Sequence, residues 1–232
     1  MELNDKLAFV LGSGQGCGRE AALQLAAAGA FIAGFDFSPM HADQTTQAII
    51  AQGGRAKSYG GDVVKKIAFQ TTINDITDDW GEERIDVLVS AVDVAPNAHL
   101  LRLDEWDWHR ALDSNLTLPF LAAQVVGRIM QAQGGGVMIF LGQMPDRPNS
   151  VVYQAGKQGL VGLVRNAMQA LAPSHIRVHL LWLDDATAPP DAISIAQAAE
   201  RIGNPPAQDC GSLVRWLASP AAEPLGSAIL KP

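Results

Sequence analysis

The sequence predicts a single α/β domain, a Rossmann-like doubly wound parallel sheet with helices on both faces. Two observations predict it. Short apolar runs alternate with longer stretches of helical pattern, and a length of 232 residues suits one domain of this class. Strands covered by helices on both sides are typical of such sheets. No internal repeat or linker divides residues 1–232, so we predict no second domain.

About seven strands are expected, each a short run with strand composition. In chain order they are Leu7 to Leu11, Phe31 to Phe35, Arg55 to Tyr59, Ile85 to Ser90, Val137 to Leu141, Arg177 to Leu183 and Ser227 to Leu230. Helices are expected between them. The stretch from Asp104 to Gln133 is long enough for several turns, and Pro119 would kink it or mark its crowded middle. The segment between Pro189-Pro190 and Pro205-Pro206 is expected to be irregular.

Composition excludes several classes of function. A net charge of -7 argues against a nucleic-acid or anionic-membrane surface. No run of about eighteen apolar residues and no signal-peptide pattern is present, so we expect a soluble cytoplasmic protein. Cys17 and Cys210 form no Cys-x-x-Cys pair, and the five histidines lack metal-ligand spacing. We therefore predict neither a disulfide framework nor a metal site, and expect small molecules and protein as partners.

A glycine-rich turn between the first strand and the first helix is a candidate ligand site. The segment Leu11-Gly-Ser-Gly-Gln-Gly-Cys-Gly18 opens a helical run from Glu20 to Ala28. Residues without Cβ let the backbone approach a pyrophosphate, which then rests on the helix N-terminus. A tight βα junction without a ligand is the alternative. Asp36 favours a dinucleotide, because a carboxylate at the end of the second strand can accept hydrogen bonds from ribose hydroxyls.

Tyr153 and Lys157 form a second candidate site, since they lie one helical turn apart on one face. Carbonyl reduction needs a positioned acid. A tyrosine has a reference pKa of about 10, and a cation about 4 Å away interacts with it by about 4 kcal/mol at an effective dielectric near 20. Each residue alone has an ordinary alternative, a tyrosine packed at a helix start and an exposed lysine.

Together, the glycine turn and the Tyr153-x-x-x-Lys157 spacing resemble the short-chain dehydrogenase/reductase family, whose members move hydride to or from a nicotinamide. The resemblance covers Leu7 to Leu230. It implies that Tyr153 is the acid/base, that Lys157 lowers its pKa and holds the nicotinamide ribose, and that Asn115 supports a proton relay. A small alcohol or carbonyl compound is the implied substrate.

The resemblance also implies a set of cofactor-binding residues. Besides Tyr153 and Lys157 they are Gly12, Ser13, Gln15, Gly16, Cys17, Gly18, Asp36, Phe37, Asp62, Val63 and Ala91. The Asp62-Val63 pair would touch the adenine, although an aspartate at a helix start is equally an N-cap. No arginine or lysine stands at the positions that would meet a ribose 2'-phosphate, and Asp36 would repel it. NAD is therefore expected in preference to NADP.

The sequence departs from the family on the substrate side. Leu141-Gly142-Gln143 replaces the active-site serine, and Ser90-Ala91-Val92-Asp93 replaces the Asn-Ala-Gly segment. Losing one oxyanion donor typically costs about 2.7 to 4 kcal/mol in the barrier. Three interpretations follow: an NAD-dependent dehydrogenase or reductase, a catalytically impaired structural or NAD-binding subunit, and an NAD-sensing regulator. All three imply a homodimer or homotetramer, or a mixed oligomer with a related subunit.

Overall fold

A computed structural model describes residues 2–61, 65–143, 150–202 and 209–231. Within these residues eight strands form one parallel sheet in the order β3-β2-β1-β4-β5-β6-β8-β7. The strands are β1 (Leu7–Leu11), β2 (Phe31–Phe35), β3 (Arg55–Tyr59), β4 (Val87–Ser90), β5 (Gly136–Gly142), β6 (Ile176–Trp182), β7 (Ile193–Ser194) and β8 (Ala228–Lys231). The strand order reverses between β1 and β4, where open α/β sheets form a crevice at the carboxyl ends of the strands.

Helices cover both faces of this sheet. Those of the described residues are α1 (Gly16–Ala27), α2 (Pro39–Ala51), α3 (Lys66–Trp80), α4 (Glu105–Leu112), α5 (Leu118–Gln133), α6 (Val151–Leu171), α7 (Ile195–Ile202) and α8 (Cys210–Ala218). One face of the sheet packs on α3, α5 and α6, and the other packs on α1, α2, α7 and α8. Side chains of β1 alternate between these two cores, as Phe9 and Val10 illustrate. The doubly wound fold is confirmed.

The sheet differs from the expectation of about seven strands by one addition. The two-residue strand β7 lies in the segment that was expected to be irregular, and it pairs with β8 at the sheet edge. Strand β4 also begins two residues later than predicted. The Ile85 N–H donates to Gln133 Oε1 at 3.1 Å, and the Ile85 carbonyl accepts from Gln133 Nε2 at 2.8 Å. The side-chain amide thus takes the place of a neighbouring strand.

The long helical stretch before β5 contains a local irregularity near its middle. A π-helical turn, Asp113–Thr117, joins α4 to α5, and the Leu118 N–H donates to the Asp113 carbonyl five residues back. Pro119 has no N–H, so the Asn115 carbonyl lacks the donor that a regular α-helix would provide. The proline therefore accounts for a widened turn at Asn115 rather than a break in the helix. Such π-turns occur frequently at functional sites.

Candidate active site

The β1–α1 turn is built so closely that backbone atoms fill the place of a Cβ at two of its glycines. Gly12 has a φ of +83°, and a Cβ there would lie 2.9 Å from the Ala91 carbonyl group. A Cβ on Gly18 would lie 1.9 Å from the Gly12 carbonyl oxygen. The Gly12 and Ser13 N–H groups donate to the Phe35 carbonyl at 2.8 and 2.9 Å, which fixes the turn against the end of β2. The backbone thus reaches the N-terminus of α1 without an obstructing side chain.

Asp36 directly follows β2 and lies beside this turn. Its two carboxylate oxygens accept hydrogen bonds from the Gly14 N–H at 3.0 Å and the Ser38 N–H at 2.9 Å. Each oxygen retains a further acceptor position. The Gln15 side-chain nitrogen lies 2.7 Å from His41 Nδ1, so the outer rim here is polar. Two backbone donors therefore orient Asp36 while leaving it able to accept from a ligand hydroxyl.

Tyr153 and Lys157 occupy the first two turns of α6, and both side chains are buried. Their polar ends converge on Asp93, which follows β4. The Tyr153 hydroxyl donates to Asp93 Oδ1 at 2.8 Å, and Lys157 Nζ lies 2.8 Å from the same oxygen. Lys157 Nζ also lies 5.3 Å from the centre of the Tyr153 ring. The two predicted catalytic groups therefore share one carboxylate oxygen.

The end of β5 supplies an amide in place of a serine hydroxyl. Gln143 Nε2 donates to Asp93 Oδ2 at 3.0 Å, and the Gln143 carbonyl accepts from the Tyr153 hydroxyl at 3.2 Å. A Cβ on Gly142 would lie 2.5 Å from Trp182 Cε3. Trp182 is fully buried, and its Nε1 donates to Thr187 Oγ1 at 3.1 Å. The Gln143 side chain thus points into the site, whereas the Trp182 ring fills the space beside Gly142.

Asn115 is fully buried in the π-helical turn and holds the segment after Asp93. Its side-chain Nδ2 donates to the Val94 carbonyl at 2.6 Å and to the Ala111 carbonyl at 2.9 Å, while Oδ1 accepts from the Val94 N–H at 3.3 Å. These bonds fix the backbone of the residue next to Asp93. The side chain of Asn115 therefore positions the β4–α4 connection, and a proton-relay role for this residue remains a prediction.

A cavity of about 520 Å³ joins these two groups of residues. Most of the predicted cofactor-binding residues line it, namely Gly12, Gln15, Gly16, Cys17, Asp36, Phe37, Ala91 and Lys157. Ser13 is buried, with its hydroxyl donating to the Phe35 carbonyl, and Gly18 packs beneath Gly12. Asp62 and Val63 lie outside the described residues. The cavity extends from Asp36 to Asp93, as expected for an elongated ligand at the switch point of the sheet.

Comparison with known proteins decides the family. The family model described as short chain dehydrogenase matches residues 6–183. The chain belongs to this family. It is 30% identical over 231 residues to a 3-oxoacyl-[acyl-carrier-protein] reductase of a Synechocystis species, covering 95% of this chain and 92% of the relative. It is 29% identical over 201 residues to the short-chain reductase protein NovJ of Streptomyces niveus, covering 86% of this chain and 74% of the relative.

Solved structures share the fold of this short-chain dehydrogenase. A metagenomic short-chain oxidoreductase in complex with NADP superposes with a TM-score of 0.84 at 24% identity, over 100% of this chain and 99% of that one. A 7α-hydroxysteroid dehydrogenase complexed with NADH and 7-oxo glycochenodeoxycholic acid gives a TM-score of 0.82 at 24% identity, over 100% and 94%. At this identity the likeness supports the architecture alone.

Among the titratable side chains of this family member's cavity, two were not predicted as site residues. Asp93 was noted only as a departure from the family segment, and His41 only as one of five histidines without metal-ligand spacing. Both line the cavity. Asp93 could have been found from its position, since it lies just after β4, beside the point where the strand order reverses. His41 lies in the first turn of α2, and no sequence signal connects it to Gln15.

Cys17 and Cys210, although distant in sequence, are neighbours in the fold. They lie in the first turns of α1 and α8, which pack so closely that a Cβ on Gly211 would meet the Glu20 carbonyl oxygen at 2.8 Å. A hydrogen bond from the Cys210 thiol lowers the pKa of Cys17. The same hydrogen bond, together with burial, raises the pKa of Cys210. Both thiols are free, and Cys17 alone lines the cavity.

Two further expectations concern metals and membranes. In the part of the chain that the structure describes, no group of three or more His, Cys, Asp or Glu side chains could hold a metal ion. Over the same residues, the helices fall short of the length and apolar character needed to cross a bilayer.

Proposed function

We propose that this short-chain dehydrogenase is an oxidoreductase that transfers hydride between NAD(H) and a small alcohol or carbonyl substrate, with Tyr153 as the acid/base and Lys157 as its assistant. One observation carries the proposal: the Tyr153 hydroxyl and the Lys157 ammonium group meet at Asp93 Oδ1. Asp93 and Lys157 line the cavity that Asp36 and the β1–α1 turn also line, and the buried Tyr153 lies behind them. When bound, the nicotinamide cofactor supplies or accepts the hydride. Both relatives described above are reductases by name, which supports this class of reaction.

The described residues fit a dinucleotide at the turn. Gly12 and Gly18 leave no space for a Cβ, so the backbone itself faces the cavity at the N-terminus of α1. Asp36 would hold the adenosine ribose through its remaining acceptor positions. We propose NAD in preference to NADP, because Lys157 is the one lysine or arginine among the described lining residues and its ammonium group is paired with Asp93. A 2'-phosphate beside Asp36 would meet a like charge.

The arrangement of Tyr153 and Lys157 suits proton transfer. The ammonium group, 5.3 Å from the ring centre, stabilises negative charge on the tyrosine after its proton has moved. The Tyr153 hydroxyl donates to Asp93 Oδ1, so the substrate oxygen must replace Asp93 as the hydrogen-bond partner of this hydroxyl during reaction. General acid–base catalysis by a positioned side chain typically contributes about 100- to 10,000-fold.

The second candidate is a catalytically impaired subunit that retains the fold and cofactor binding and assembles with related or identical chains. A specific observation favours it. The end of β5 offers no hydroxyl, and the Trp182 ring lies where a side chain at position 142 would begin. Asp93 also engages Tyr153, Lys157 and Gln143 together. Such a protein would bind NAD(H) without turnover.

The test is turnover of NADH and NADPH, and of their oxidised forms, against a panel of ketones, alcohols and acyl thioesters, with Tyr153→Phe beside the wild type. We expect turnover with NADH or NAD⁺ that Tyr153→Phe reduces about 100-fold or more, because the hydroxyl that transfers the proton is gone while the ring still fills its place. Equal rates for the two proteins would remove Tyr153 from the mechanism. NADH binding without turnover on any substrate supports the subunit instead.

A further inference from the structure

Asp93 is surrounded by donors from two other parts of the fold. Tyr153 Oη and Lys157 Nζ, both from α6, contact its Oδ1 at 2.8 Å, and Gln143 Nε2, from the end of β5, contacts its Oδ2 at 3.0 Å. About 35% of the Asp93 side chain is exposed, and the residue lines the cavity. A carboxylate has about four acceptor positions, of which these donors use three. Among the residues that the structure describes, no further donor contacts Oδ2, and its remaining acceptor position faces the cavity for a ligand.

This acceptor differs in kind from the hydroxyl or amide donors that usually face a substrate oxygen. A carboxylate can only accept hydrogen bonds, so a substrate group next to it must donate one. An alcohol O–H or an amine N–H can do so. A ketone oxygen or a carboxylate offers only acceptors, and leaving Asp93 opposite such a group costs free energy because both are desolvated without a bond.

We infer that Asp93 determines the substrate selectivity of this site by accepting a hydrogen bond from a hydroxyl or amino group of the substrate. The cavity accordingly selects alcohols or amines over ketones and carboxylates of the same shape. The inference rests on the proposed function, since it takes the cavity near Tyr153 as the place of the substrate. Charge on the cavity wall agrees with it, because the described lining residues carry Asp36 and Asp93 against Lys157.

Four ligands with one ring test the inference: cyclohexanol, cyclohexylamine, cyclohexanone and cyclohexanecarboxylate. Their dissociation constants for the full chain are measured by NMR titration, with and without NAD⁺. We expect cyclohexanol, cyclohexylamine or both to bind about tenfold more tightly than cyclohexanone, because one hydrogen bond to a charged group contributes about that much to affinity. Cyclohexanecarboxylate should bind most weakly. Comparing cyclohexanol with cyclohexylamine shows whether the site prefers a neutral or a cationic hydrogen-bond donor.

Asp93→Asn is the informative variant, because its amide has the same shape and can donate as well as accept. The preference for the donor ligands should fall to within about twofold. Asp93→Gly serves as a second variant, checked for folding by circular dichroism, and should lose the preference as well. Asp78→Asn on the exposed face of α3 is the matched control and should retain it.

Three results would overturn the inference: cyclohexanone or the carboxylate binding as tightly as the donor ligands, a preference unchanged by Asp93→Asn, or no binding of any of the four. Failure of the proposed function is a different result. It would appear as a donor preference that depends on Asp93 in a protein that turns over neither NADH nor NAD⁺ with any substrate.

Discussion

The two ends of the cavity are built from different parts of the chain. At the β1–α1 turn, Gly12 and Gly18 bring backbone atoms into contact, and two N–H groups orient Asp36. At the other end, the side chains of Asp93, Gln143, Tyr153 and Lys157 converge from three parts of the fold. One end is thus specified by backbone geometry, and the other by side chains.

This difference has a physical consequence for how each end responds to substitution. Backbone packing within about 3 Å leaves no space for one added carbon, so the turn is sensitive to the smallest change in volume. The side-chain network has one carboxylate that accepts from three donors, and isosteric changes there alter hydrogen bonding while conserving volume. We therefore expect volume to decide the effect of substitutions at the first end, and polarity to decide it at the second, except at Gly142, where the Trp182 ring leaves no space for a Cβ.

Gly18→Ala should produce the largest effect. Its Cβ would lie 1.9 Å from the Gly12 carbonyl oxygen, which is backbone and cannot move aside alone. We expect a loss of about 3 kcal/mol in the free energy of unfolding, at the upper end for overpacking, and loss of measurable NADH binding. Chemical denaturation and fluorescence titration with NADH measure the two quantities.

The matched control is Gly162→Ala. This glycine is exposed in the interior of α6, and a Cβ there would meet nothing within 4 Å. Alanine should stabilise the protein by about 0.5–1 kcal/mol, because glycine weakens helix interiors. An equal change in the free energy of unfolding for the two substitutions would show that the backbone of the turn shifts to accommodate a Cβ.

The sequence predicted the backbone-built end well. The first three strands and the glycine turn follow from local pattern, because strand periodicity and residues without Cβ are visible in adjacent positions. The same holds for Asp36, whose place follows from the end of β2. The spacing of Tyr153 and Lys157 was equally readable, since four residues make about one turn of a helix.

The sequence could not predict how the side-chain end is connected. Asp93 and Lys157 are separated by more than sixty positions, and only the adjacency of β4, β5 and α6 brings them to 2.8 Å. Whether Gln143 points inward depends on the same packing. The contact between Gly142 and the Trp182 ring depends on the register of β5 with β6, in which these residues are paired. Local pattern carries no information on such contacts.

Gly142→Ser should have the second largest effect, and it introduces a hydroxyl at the end of β5. Its Cβ would lie 2.5 Å from Trp182 Cε3, so we expect a loss of about 2 kcal/mol in the free energy of unfolding and no gain in turnover. Gly162→Ser, at an exposed position of α6, is the control. A stable variant with raised turnover would show that the Trp182 ring moves aside readily and that volume does not limit substitution at position 142.

Asp36→Asn should have the smallest effect and addresses the choice of cofactor. Asparagine conserves volume, but its NH2 group cannot accept the bond that one of the Gly14 and Ser38 N–H groups now makes. We expect the ratio of the NADPH to the NADH dissociation constant to fall about fivefold, equivalent to about 1 kcal/mol, because the charge that repels a 2'-phosphate is gone. Fluorescence titrations with both nucleotides measure it, with Asp78→Asn as the control. Tighter binding of NADPH than NADH by the wild type would contradict the role given to Asp36.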